Sequence, residues 1–257
     1  MNDTVNVNLD AYVATVEIHR PPNNFFDLEL IEAIADAYET LDNDNACRAI
    51  VLCSDGKHFC AGADFGGKAD DDDPTRELRT RSLYDSAVRL FRARTPVVAA
   101  VQGGAIGGGL GLALSADFRI TCSQARFSAN FSRLGFHPGF GISITLPRLI
   151  GHSQADLMTF TGRRIKGDEA VAMGLADELV ELAEVRDRAH TLATEIAASA
   201  PLAVRTIRDT ARRGLADAVE AMTAHELEIQ TSLRKTTDFK EGIKAMAERR
   251  APDFKGS

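Results

Sequence analysis

Nothing in the 257-residue chain approaches the roughly 20 consecutive apolar residues of a membrane-spanning helix, so no membrane partner is expected. The start, Met1-Asn2-Asp3-Thr4-Val5, has neither a basic region nor a long apolar stretch, and no secretory leader is expected from it. Cys47, Cys53, Cys60 and Cys122 form no CxxC pair, which argues against a metal cluster. Without secretion a disulfide framework is also not expected, and the four are read as reduced thiols of a cytoplasmic protein, with Cys60 a small packing residue. A basic excess is missing too. The net charge of −7 argues against a nucleic-acid binder but leaves room for a local basic pocket that takes an anionic ligand. There is no internal repeat and no low-complexity segment.

What is present is ample material for a core: hydrophobic residues make up 44% and charged residues 26% of the chain. Tyr12 to Ile18 reads as a strand. Asp27 is placed to cap a helix from Leu28 to Leu41 whose inward face is Leu30, Ile31, Ile34, Tyr38 and Leu41. A strand at Arg48 to Cys53 follows, and strand, helix and strand in this order indicate α/β architecture. The run Asp70-Asp71-Asp72-Asp73-Pro74 reads as a solvated loop tip. A metal site is the sharper reading there, but consecutive carboxylates do not converge without a turn. Thr75 to Arg94 and Gly107 to Ala116 read as helices, with strands at Val97 to Val101 and Phe118 to Cys122. From Ser153 onward the pattern is mostly helical, with segments expected at 153–161, 168–173, 184–199, 201–213, 215–234 and 239–250. This change of texture divides the chain into a core, 1–195, and a helical part, 196–257.

Two small-residue segments each follow a strand. Lys57-His58-Phe59-Cys60-Ala61-Gly62-Ala63-Asp64 follows the first, and Gly103-Gly104-Ala105-Ile106-Gly107-Gly108-Gly109-Leu110-Gly111 the second. Small residues let a ligand approach backbone N–H groups closely, and two such donors aimed at one oxygen make an oxyanion hole. A dinucleotide fold is the outside alternative. The run has no clean GxGxxG, and Asp117 follows too soon to meet a ribose. A phosphate-binding P-loop fails because no Gly-Lys-Ser/Thr follows.

These residues resemble the crotonase superfamily, also called the enoyl-CoA hydratase/isomerase family. Phe59 to Asp64 is similar to its F-x-A-G-A-D motif, and Ala100 to Gly109 to its A-V-x-G-x-A-x-G-G-G. Ser115 to Arg119, Gly135 to Gly139, Leu146 to Gly151 and Asp238 to Gly242 resemble further motifs, in the family's order and over nearly the whole chain. The resemblance implies a spiral of ββα units, C-terminal helices that make a homotrimer or a dimer of trimers, and an acyl-CoA thioester ligand of lipid metabolism, with no cofactor beyond the coenzyme A of the substrate. It implies that the backbone N–H groups of Ala63 and Gly108 hold the thioester oxygen as an enolate forms. It also implies coenzyme A contacts at Arg20, Ala61, Asp64 and Phe65, and at Arg249 across a subunit boundary.

The sequence departs from the family at its acid/base positions. The hydratases position and activate water with two glutamates, and the matching residues here are Gly111 and Phe131. Neither can carry a proton, so hydration by the usual route is not expected. One reading is a lyase or isomerase with a different base. His137 is the leading candidate, with a backbone-satisfied turn histidine as the alternative. Ser128, Asn130, Ser132 and Arg133 are further polar groups near position 131, while Asp64 and Asp117 read as loop and helix caps. A second reading is a decarboxylase or hydrolase of thioesters, which an oxyanion hole alone supports. A third is an acyl-CoA binder without turnover, with Phe131 and Phe140 forming an apolar acyl slot.

Overall fold

The computed structural model describes residues 4–64 and 75–257. The elements run β1 (Val5–Asp10), β2 (Val13–Ile18), α1 (Leu28–Asp42), β3 (Ala49–Ser54), α2 (Arg76–Arg92), β4 (Val97–Val101), β5 (Gly104–Ile106), α3 (Gly108–Ser115), β6 (Phe118–Thr121) and β7 (Arg126–Ser128). A 3-10 turn at Asn130–Leu134 leads into α4 (Ile142–Thr161), β8 (Ile165–Lys166), α5 (Gly167–Ala172) and β9 (Glu178–Leu179). After a short 3-10 turn at Leu182–Glu184 come α6 (Val185–Ala197), α7 (Pro201–Ala211), α8 (Leu215–Leu233) and α9 (Thr237–Ala247). Among the described residues no helix is long and apolar enough to cross a membrane.

Six strands form the main sheet in the order β1-β2-β3-β4-β6-β9. β1 and β2 pair antiparallel, Val5 opposite Ile18, and the remaining neighbours are parallel. A second, three-stranded sheet has the order β5-β7-β8. Every residue of β3 and β4 is buried, as expected of parallel strands covered on both faces. α6 lies across β2, β3, β4 and β6, and α1 packs on β1 and β2. The Asp27 side chain accepts from the Leu30 amide at 2.9 Å, so the cap of α1 is the one its position suggests. Pro201 opens α7, where its missing N–H costs nothing.

Three features differ from the sequence expectations. β1 carries a Val-Asn-Val-Asn-Leu alternation, but it is a largely exposed edge strand whose asparagines disfavour strands, which masks its pattern. α4 begins at Ile142, not near residue 153. Pro147 and Gly151 read as breakers, and the helix does break its geometry at Gly151 (φ 74°, ψ 159°), yet both halves are helical. Asp117 is not a simple cap. Its carboxylate accepts from the Val97 amide and pairs with Arg208 of α7 and with Arg212 just beyond that helix, at 2.8 and 2.7 Å. Burial alone would raise this carboxyl, but the two guanidinium groups outweigh it and hold it below the ordinary range.

The C-terminal helices are built into the core. α8 packs on α2 and α4, and α9 on the 3-10 turn at Asn130–Leu134. The division at 195/196 falls within the last turn of α6.

Candidate active site

The two glycine-rich segments meet. Cys60 forms a parallel bridge to Ala105, donating to the Gly104 carbonyl at 2.9 Å and accepting from the Ile106 amide at 3.1 Å. Gly109 lies against the Cys60 carbonyl so closely that a Cβ there would overlap it, which explains a glycine at this point of α3. Burial pushes the Cys60 thiol up to about 12, so it is a packing group and not a nucleophile.

Above this junction opens a cavity of about 1510 Å3, lined by Ala61, Gly62, Ala63 and Asp64 on one side and by Gly103, Gly104 and Ile106 to Gly108 on the other. Gly108 is the first residue of α3, where an amide has no partner within the helix. Among the described residues neither the Ala63 nor the Gly108 amide has a hydrogen-bond acceptor. The helix terminus adds a favourable dipole for a negatively charged oxygen.

Among the described residues, cations outnumber carboxylates along the cavity although the chain is acidic. Arg20, Lys57, Arg76, Arg79, Arg126, Arg164 and Arg234 line it, against Asp27, Glu29, Glu32 and Asp64. Arg20 is ion-paired to Asp27 at 2.7 Å and to Glu29 at 3.2 Å. His58 also lines the cavity. Its Nδ1 accepts from the Gly104 amide at 3.0 Å, and burial, followed by the nearby Lys57 charge, lowers its pKa.

Aromatic rings complete the lining: Phe131, Phe136 and Phe140, together with Phe26, whose ring lies directly against Gly108 and whose amide donates to the Gly62 carbonyl at 3.1 Å. Gly111 does not line the cavity: a Cβ there would lie 2.8 Å from the Phe140 Cβ, so the Phe140 side chain fills the room a side chain at 111 would need. Phe140 adopts φ 62°, unusual for a bulky residue, and its ring meets Phe26 edge-on at 5.9 Å. Behind it, the Tyr84 hydroxyl donates to Gln230 Oε1 at 2.8 Å. Gln230 Nε2 in turn donates to the His137 and Pro138 carbonyls at 2.9 and 3.2 Å. Burial raises the Tyr84 phenol strongly.

His137 is not brought to the cavity. Its ring Nδ1 lies 2.8 Å from the Pro138 carbonyl and its edge faces His225 of α8. This is the backbone-satisfied arrangement, and the wall at this point is made by Phe136, Gly139 and Phe140 instead. Of the polar groups near position 131, Asn130 lines the cavity. Ser128 donates to the Gly162 and Arg163 carbonyls, Arg133 to the Thr161 carbonyl, and the Ser132 hydroxyl is buried without a partner among the described residues. Of the coenzyme A candidates, Arg20, Ala61 and Asp64 line the cavity, while Arg249 is exposed and does not. Phe65 and the 70–73 acidic run lie outside the described residues. Tyr84, Gln230 and Arg234 carry no motif, and the pairing of Tyr84 with Gln230 spans 146 residues, so only the fold reveals it.

Residues 8–257 match the family model described as enoyl-CoA hydratase/isomerase. The chain is 34% identical to a short-chain-enoyl-CoA hydratase of Clostridium acetobutylicum over 94% of this chain and 93% of the relative. It is 30% identical to a carnitinyl-CoA dehydratase of Proteus mirabilis over 100% of both chains. A crystal structure of an enoyl-CoA hydratase/isomerase from Pseudoalteromonas atlantica superposes with a TM-score of 0.88 at 31% identity, covering 98% of this chain and 100% of the other.

Proposed function

Since the chain belongs to the enoyl-CoA hydratase/isomerase family, we propose that its cavity holds an acyl-CoA thioester with the carbonyl oxygen between the main-chain amides of Ala63 and Gly108. The observation that carries this reading is the pair of amides themselves: both line one cavity and neither has an acceptor among the described residues. Charge that gathers on the oxygen as an enolate forms is stabilised by two donors already in place, and loss of one such donor typically costs about 3–4 kcal/mol. The excess of cations among the described lining residues supports an anionic ligand such as the phosphates of coenzyme A. Arg20, Ala61 and Asp64 are the proposed contacts of its nucleotide end, with Arg249 reaching in from a neighbouring subunit.

The reaction proposed is one that does not depend on a carboxylate pair. Positions 111 and 131 hold Gly and Phe; Phe131 lines the cavity and Gly111 lies behind Phe140. Loss of carbon dioxide from a malonyl-type thioester leaves the electron pair of the broken C–C bond as the enolate, which the oxyanion site stabilises without any base, and a proton from solvent at the α-carbon completes the product. Binding without turnover is the second reading, favoured by Phe131 and Phe140 as an apolar slot. A panel of coenzyme A thioesters, assayed separately for binding and for turnover, distinguishes them. Product from at least one thioester supports an enzyme; tight binding with no product from any supports the binder. Brisk crotonyl-CoA hydration by the unaltered chain would refute the reaction class.

A homotrimer or a dimer of trimers is the proposed assembly. Leu202 and Ile207 on α7 are 75% and 68% exposed, and Phe160 on α4 is 77% exposed, apolar surface of the kind an interface covers. Light scattering at micromolar concentration tests it, and a monomer would refute it.

A further inference from the structure

Resting on the thioester site proposed above, we infer that Phe140 closes the acyl end of the cavity and limits the bound acyl group to about four carbons, and that Gln230 and Glu226 of α8 hold it there. Three rings close on the start of α3. Phe131 reaches to 3.8 Å from where a Cβ of Gly107 would stand, Phe26 lies against Gly108, and Phe140 stands on Gly111. All three rings line the cavity. Phe131 and Phe26, on successive glycines, flank the Gly108 amide. Phe140 stands three residues further on, on the same helix, a separation of about 4.5 Å along the axis. An acyl chain that leaves the amide between Phe26 and Phe131 therefore meets the Phe140 ring after about three carbon–carbon bonds. Phe26 and Phe140 also touch edge-on, with their centres 5.9 Å apart, so they leave no opening between them for a longer chain.

A ring limits length only if it cannot swing aside, and Phe140 is held on both flanks. Before it in the chain, the His137 and Pro138 carbonyls accept from Gln230 Nε2 at 2.9 and 3.2 Å. Gln230 Oε1 is committed to the Tyr84 hydroxyl at 2.8 Å, which fixes the way the amide group faces. After Phe140, the Gly141 amide donates to Glu226 at 2.9 Å, and the Ser143 amide and hydroxyl donate to it at 3.2 and 2.7 Å. Glu226 and Gln230 are four residues apart on α8, so they lie on one face of it. Both are buried, where hydrogen bonds are strong and their loss leaves polar groups unpaired. Phe140 itself is 1% exposed at φ 62°, a conformation that a bulky residue keeps only where its surroundings impose it. A longer acyl chain would have to break these bonds to move the ring.

The test is calorimetric titration of the full chain with free coenzyme A and with acetyl-, butyryl-, hexanoyl- and octanoyl-CoA. In an open groove each added methylene tightens binding by about fourfold, so without a limit octanoyl-CoA binds more tightly than butyryl-CoA. With the limit, butyryl-CoA is expected to bind about tenfold or more tightly than octanoyl-CoA. Phe140→Gly, which suits the positive φ, is expected to abolish or invert that ratio while free coenzyme A binds as before, and Phe140→Leu to reduce it in part. Gln230→Met is expected to reduce the ratio with free coenzyme A again unchanged, a pattern that a general loss of structure does not give. The inference is overturned if octanoyl-CoA binds the parent chain as tightly as butyryl-CoA, or if both Phe140 variants, folded by circular dichroism, keep the parent ratio. An unchanged ratio in Gln230→Met overturns its positioning role. The parent series decides the length limit even if the variants fail to fold. Failure of every thioester and of coenzyme A to bind would instead bring down the site reading on which this one rests.

Discussion

The two walls of the cavity are made by opposite means. One is main chain: Ala63 and Gly108 present amides, and glycines let the Phe59–Asp64 segment and the start of α3 come within touching distance. The other is side chain: Phe131, Phe136 and Phe140 fill it, and Phe140 occupies the room that any side chain at 111 would need. On the function proposed above, groups that polarise a carbonyl and groups that move protons are separable. Backbone donors depend on the fold and its small residues, whereas a side-chain acid depends on the residue at its own position.

The largest effect is expected on the main-chain wall. Gly108→Pro removes one amide donor, and turnover of any productive thioester should fall by about 10²–10³-fold. Far-UV circular dichroism reports whether α3 survives, and an unchanged rate in a folded variant would show that the oxygen binds elsewhere. The aromatic wall is tested by reversal. Gly111→Glu alone should lower stability by about 1–3 kcal/mol through overpacking against Phe140 and yield no hydration. Combined with Phe131→Glu and Phe140→Gly, which vacates the space and relieves the positive φ, it should raise crotonyl-CoA hydration about 10²-fold over the parent chain. A gain from Gly111→Glu by itself would break the comparison.

A smaller change should follow loss of the Tyr84 hydroxyl. Tyr84→Phe leaves the buried Gln230 Oε1 without this partner and should cost about 1–3 kcal/mol in urea unfolding. The least effect is a pH dependence confined to the main-chain wall. The folded pKa of His58 is depressed, so the unfolded chain binds its proton first, and stability falls as pH drops below the unfolded value of about 6.5. Protonation also takes away the acceptor of the Gly104 amide. The melting temperature of the parent should therefore fall more steeply between about pH 7 and pH 5 than that of His58→Gln. Parallel curves would remove His58 from this account.

Much of this molecule is legible in the sequence where local rules decide. Asp27 caps α1, the apolar runs of β3 and β4 are central strands, and the glycine segments converge because their residues tolerate close approach. The first half of α4 is not legible because Pro147 and Gly151 mimic an ending that the helix absorbs as a break in geometry. The position of His137 next to the site is legible, but the direction of its ring is not, since that depends on the Pro138 carbonyl and on α8. Asp117 looks like a local cap because its partners, Arg208 and Arg212, come from about 90 residues away. Tyr84, Gln230 and Arg234 carry no motif because each acquires its meaning only when α2 and α8 pack together.

That packing ties occupancy to cohesion. Because α8 supplies part of the cavity lining while its other contacts join α2 and α4, a molecule lodged there acts as a strut across pieces distant in the chain. Mass action then makes resistance to proteolytic clipping between α6 and α8 rise with ligand concentration, by about 2.7 kcal/mol at a hundredfold excess over the dissociation constant. The supply of ligand would thereby bear on how long the folded chain survives a protease.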